Sequence, residues 1–122
     1  KTEGGLSVYG EEQIRQAIKN GAVDTLLVSE GLRKRRVTLD CPNCGTLEVT
    51  LDKSPEGLMM ACPKCGTAGT VTKDIDLVDD LFDRAGLMGT KVELISPESE
   101  EGEMLLKAFG GMAGLLRFSI GV

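Results

Sequence analysis

Histidine is absent from the 122-residue sequence, and so is tryptophan. Without imidazole the chain lacks the side chain that ordinarily titrates near neutrality, and no Ser-His or Cys-His pair can form from its own residues. Aromatics are scarce, at three Phe and one Tyr. A core must therefore come from Leu, Ile, Val, Met and Ala, and a hydrophobic content of 41% suffices for one. No apolar run approaches the roughly 18 to 20 residues that a membrane-spanning helix needs, so no membrane association is expected. Acidic residues outnumber basic ones, 19 to 14, for a net charge of −5. That balance argues against binding nucleic acid by general phosphate attraction, which needs a basic surface. The first residue is Lys1, not Met, so the sequence reads as a piece of a longer protein, and the lack of a leader says nothing of targeting.

Cysteine occurs only four times, but in a pattern. The motifs Cys41-Pro42-Asn43-Cys44-Gly45 and Cys62-Pro63-Lys64-Cys65-Gly66 place two Cys-x-x-Cys pairs seventeen residues apart. Two residues between cysteines let one tight turn aim both sulfurs at a single metal ion. The following glycine permits positive φ, which brings backbone N–H groups toward the sulfurs. Four thiolates complete a tetrahedron and leave no open position, so Cys41, Cys44, Cys62 and Cys65 are read as ligands of one structural zinc ion. Weaker readings are two disulfides, a thioredoxin-like redox pair and a rubredoxin-like iron centre. Between the pairs, Leu47, Val49 and Leu51 alternate with polar residues as a strand, 53–57 turns, and 58–61 returns to the second pair. The spacing predicts a zinc ribbon over 41–73, too small to fold without its metal.

Outside that module the pattern changes. Ile14, Ala17 and Ile18 mark one face of a helix over 11–20, with Gly21 beyond its end. The apolar run 25–29 reads as a buried strand, and 37–40 as a strand leading into the cysteines. Asp74 and Asp76 are candidate starters for a helix carrying Leu77, Val78, Leu81, Phe82 and Ala85, stopped at Gly86. A strand over 91–96 follows. A third helix opens near Pro97 or Ser99, buries Met104, Leu105, Ala108 and Phe109, and ends at Gly110-Gly111; 115–120 is the last strand. Alternating helices and strands predict a layered α/β sandwich with a mixed sheet over 1–40 and 74–122, interrupted by the inserted ribbon.

Two charge runs invite function. Arg33, Lys34, Arg35 and Arg36 form a dense basic stretch, a candidate contact for RNA or an acidic partner; the bland alternative is a solvated loop. Residues 74–103 hold ten of the nineteen acidic residues, read first as solvated helix faces and second as a dock for a basic partner. No catalytic residue and no phosphate-binding loop is found. Gly110-Gly111 follows a helix and precedes a strand, the reverse of what a phosphate loop requires.

The stretches Tyr9-Gly10 to Ala17, Gly21-Ala22-Val23-Asp24-Thr25-Leu26-Leu27-Val28-Ser29-Glu30 and Ala108-Phe109-Gly110-Gly111-Met112-Ala113-Gly114-Leu115-Leu116-Arg117-Phe118 resemble the C-terminal domain of class 1 peptide chain release factors of the archaeal and eukaryotic type. The resemblance covers essentially the whole chain, and the four-cysteine form of the insertion looks archaeal. It implies a cytoplasmic, non-enzymatic adaptor that binds a translational GTPase, in archaea the elongation factor that carries aminoacyl-tRNA. It also implies the ribosome and the ATP-dependent ribosome recycling factor as partners. The family's Gly-Gly-Gln loop is missing, since Gly4-Gly5 precedes Leu6 and Gly110-Gly111 precedes Met112, so no catalytic residue carries over. The rescue factor Pelota is the closest rival family. It shares the Tyr-Gly and Gly-Ala-Val patterns and generally lacks the zinc insertion.

Overall fold

A computed structural model describes residues 6–118. The element order is β1 (Ser7–Tyr9), α1 (Glu11–Lys19), β2 (Val23–Ser29), β3 (Arg35–Cys41), β4 (Gly45–Leu51), β5 (Met59–Ala61), β6 (Ala68–Asp76), α2 (Leu77–Leu87), β7 (Lys91–Ile95), α3 (Glu100–Phe109) and β8 (Met112–Leu116). These form two compact units, 1–32 with 81–122, and 33–80, and the division falls inside α2. The inserted unit thus reaches beyond 41–73, because β3 and β6 pair with each other along their length.

The first unit is built on a mixed sheet in the order β1-β8-β2-β7. The central strand β2 runs antiparallel to β8 and parallel to β7. Flanked on both edges, it has Val23, Leu26 and Val28 fully buried, as its nearly continuous apolar run implies. Helix α1 packs against β1, β2 and β8 through Ile14, Ala17 and Ile18, the face expected from their spacing. Its first turn carries Glu11 and Glu12 and its last turn Lys19, charges that suit the two helix ends. Helix α3 packs on β2 and β8, and Tyr9 stacks on Phe109 with ring centroids 4.4 Å apart.

Several expectations need correction. The short strand β1 carries no recognisable alternation over three residues and was not expected. Asp74 lies in β6, not at a helix start; Asp76 alone caps α2, its Oδ1 accepting from Val78 N at 2.8 Å. α2 passes through Gly86 and ends at Leu87, and the chain reverses at Gly89, whose φ is +70°. On α3 the buried residues are Gly102 and Leu105, while Met104 and Ala108 face water. A glycine supplies no apolar signal, so the stripe was read one position off. Phe82 is likewise exposed. Strand β8 begins at Met112, directly after the Gly110-Gly111 turn, and ends at Leu116; of the 115–120 expected, 119 and 120 lie outside the described residues.

The second unit is an antiparallel sheet in the order β4-β3-β6-β5. A small cluster lies at one end of it: Leu39, Cys41 and Cys62 are buried, with Leu47, Met60 and Val71 packed against them. Val37, further along β3, and Leu77 are also fully buried in this unit, and two of the three buried residues in the cluster around Leu39 are the candidate-site cysteines.

Candidate metal centre

Cys41 ends β3, and register pairing of Cys41 with Gly45 closes the turn that brings Cys44 beside it. Cys62 follows β5, and its turn is closed by Gly66 N donating to Cys62 O at 2.8 Å and Cys62 N to Thr67 O at 2.9 Å. Gly45 and Gly66 have φ of +83° and +81°, and nothing lies within 4 Å of where their Cβ atoms would sit. Backbone conformation, not space, therefore demands glycine at the two matching positions. Asn43 ties one turn to the other, its Nδ2 donating to Thr67 Oγ1 at 2.9 Å.

These turns bring the four sulfurs within 4.8 Å of one another. Cys41 and Cys65 Sγ are 3.5 Å apart, and Cys44 and Cys62 Sγ are 3.9 Å apart. A tetrahedron with metal–sulfur bonds near 2.3 Å has edges of about 3.8 Å, so the cluster already has the span a metal requires. Lys64 N donates to Cys62 Sγ at 3.4 Å, the backbone contact that stabilises a thiolate. Without a cation the four groups cannot all ionise together. The Thr67 side chain and backbone pull Cys65 down to about 6. The hydrogen bond to Cys65, then loss of hydration beside the neighbouring sulfurs, pushes Cys44 up to about 12. A bound divalent cation removes that conflict, since it favours every thiolate at once. Soft sulfur donors in a closed four-coordinate set suit zinc, and iron less commonly.

The basic run leads into β3, where acidic neighbours take up much of its charge. Lys34 Nζ lies 2.8 Å from Asp52 Oδ1, and Arg35 Nε 2.9 Å from Asp74 Oδ1. Arg36 donates to Thr50 Oγ1 at 2.9 Å and approaches Glu48 at 3.4 Å; Arg33 is exposed at the unit's start. These cross-strand partners lie 12 to 39 positions away in sequence, too far for local patterning to reveal them. The Ser54 hydroxyl and then Arg35 hold the Asp74 carboxyl below its ordinary 3.8. A carboxyl depressed in the folded state stabilises it above the unfolded pKa, and that contribution fades as pH falls through the folded value. Asp74→Asn should therefore cost no more than about 1 kcal/mol at neutral pH, being a partly exposed pair. In urea titrations of both proteins the difference should close as pH drops below 3.8. An unchanged gap in acid would contradict the assignment.

Residues 1–120 match the family described as eRF1 domain 3. The chain is 45% identical over 120 residues to peptide chain release factor subunit 1 of Methanosphaera stadtmanae, covering 98% of this chain and 29% of that one. It therefore spans under a third of the length of that curated relative. Among solved structures, the C-terminal domain of a peptide chain release factor from Methanosarcina mazei matches at a TM-score of 0.84 and 40% identity, over 98% of this chain and 75% of that one. An archaeal Pelota, described in a model of ribosome-bound Pelota and ABCE1, matches at 0.54 and 28% identity, over 98% of this chain and 23% of that one.

Proposed function

The chain belongs to the eRF1 domain 3 family, and from that premise we propose that it is the adaptor domain of a translation termination factor, binding a translational GTPase on behalf of the longer protein. The observation that carries this reading is likeness over the whole length, at 45% identity and a TM-score of 0.84 against release-factor domains. The domain itself is non-catalytic, and stop-codon-dependent peptide release belongs to the remaining length of the factor. The GTPase implied by the resemblance is the archaeal elongation factor that carries aminoacyl-tRNA. The ribosome is the setting, in the cytoplasm, with the ATP-dependent recycling factor as a further partner. A Pelota-like rescue role is the second reading, favoured by the fold shared with that protein. The four clustered cysteines weigh toward the release factor, since Pelota generally lacks the insertion.

The ribbon's part is architectural. One structural zinc, held by Cys41, Cys44, Cys62 and Cys65, fixes the sheet of 33–80 as a rigid body. The thiolates supply its entire coordination sphere, so the metal offers no open site for chemistry.

A competition experiment tests the adaptor reading. In a reconstituted termination system with the GTPase limiting, excess of this chain should slow peptide release by the full-length factor, and extra GTPase should restore it. Release that stays unchanged at saturating chain, or inhibition that extra GTPase does not relieve, would count against the proposal.

A further inference from the structure

The C-terminal ends of α1 and α2 frame an apolar groove of about 290 Å³, lined by Ile18, Lys19, Arg84, Leu87 and Met88. Two features set it apart from ordinary surface. Leu87 is 85% exposed, more than any other large apolar side chain among the described residues, and Met88 beside it is 39% exposed. The frame is also held from three directions. Arg117 donates to Gly21 O at 3.0 Å and to Gly89 O at 3.1 Å, so one guanidinium ties the loop after α1 to the loop after α2. Thr90 Oγ1 donates to Val23 O at 2.8 Å and anchors the far end of that second loop to the central strand. A Cβ on Gly21 would sit 3.8 Å from Met88 Cε, which places the methionine against the first loop. An apolar site held this firmly loses little freedom when a ligand docks.

Its charge is the opposite of its surroundings. In the unit formed by 1–32 and 81–122, acidic residues outnumber basic ones 11 to 7, yet the charged side chains lining the groove are Lys19 and Arg84. Both occupy the last turns of their helices, where a cation offsets the negative helix end. That accounts for the two cations but not for Leu87, which gains nothing from facing water. We propose that the groove is a docking site for a short amphipathic segment of another protein, with an aliphatic or aromatic anchor seated beside Leu87 and Met88 and an Asp or Glu residue facing Lys19. The surface is independent of the four-cysteine centre, and the proposal stands whether or not the chain binds a GTPase.

Random-peptide display against the 122-residue chain, with the Leu87→Ser variant as the counter-selection target, tests it without presuming a partner. Enriched peptides should pair an apolar anchor with acidic flanks. By fluorescence anisotropy they should lose about tenfold or more in affinity on Leu87→Ser, as expected for losing a buried Leu contact. They should also weaken on Lys19→Glu and with added salt. Leu87 is largely exposed, so its replacement leaves the fold intact, and the binding loss reads the groove alone. No enrichment, enrichment of basic peptides, or equal binding to Leu87→Ser would overturn the proposal. So would a chain that sediments as a dimer and reverts to monomer in Leu87→Ser, which would give the groove to a second copy.

Discussion

Replacing Cys44 with Ser, or stripping the metal with a strong chelator, will unfold residues 33–80 and leave the sheet of β1, β8, β2 and β7 standing. The reason lies in the size of the inner face. Around the four sulfurs the buried residues are Leu39, Cys41 and Cys62, supported by Leu47, Met60 and Val71, with Val37 buried further along β3, and two of these are the candidate ligands Cys41 and Cys62. So little apolar area cannot offset the conformational entropy of ordering the segment. A structural zinc contributes an apparent ~10–16 kcal/mol at neutral pH in small zinc domains, far more than this core could. Cys44 is the informative position because its side chain is exposed. Ser there opens no cavity, so the loss must come through the metal. Hydrogen exchange read by NMR should show β3 and β6 amides losing protection while β2 and β8 keep theirs. Protection of β3 and β6 that survives metal removal would show that the sheet stands without it. Loss of both units together would show that they fold as one.

Gly102→Ala will destabilise the protein by several kcal/mol, although alanine is ordinarily the better helix residue by about 1 kcal/mol. A Cβ at 102 would lie 1.7 Å from the Ser96 carbonyl oxygen and 2.7 Å from its carbon. Both are backbone atoms that cannot rotate away. Relief requires moving the first turn of α3 off 96–99, where the helix start is organised. Ser99 Oγ accepts from Gly102 N at 2.9 Å and donates to Ser96 O at 2.9 Å. Losing that cap costs about 1 kcal/mol, and the overpacking adds roughly 1–3 kcal/mol. Chemical denaturation should show a lower midpoint in Gly102→Ala, whereas Ala at the exposed Gly86, which has open space around it, should be neutral or stabilising. A Gly102→Ala protein as stable as the parent would mean that Ser96 and Gly102 are not in contact.

What could be read from residues alone follows from how local each cause is. The four-cysteine cluster was legible because Cys-x-x-Cys-Gly is a local geometry, and the structure brings the four sulfurs together. α1 was legible because its apolar face recurs at helical spacing and its charges suit its ends. β6 was hidden because Ala68 to Asp76 is polar and glycine-bearing, and its strand character comes from pairing with β3 on one side and β5 on the other. The face of α3 was misread because its closest contact is made by Gly102, a residue chosen for the side chain it lacks. The ion pairs of Lys34, Arg35 and Arg36 were illegible for the same non-local reason as β6, and they place much of the basic run's charge against carboxylates of its own sheet.

The adaptor role rests on one physical claim, that this chain alone carries a binding surface for a translational GTPase. Calorimetric titration of the metal-loaded chain with the archaeal elongation GTPase, bound to a non-hydrolysable GTP analogue, measures that claim directly. Saturable one-to-one binding is the predicted result. Absence of heat, matched by absence of co-purification while the four-cysteine unit is verified as folded and metal-bound, would contradict it.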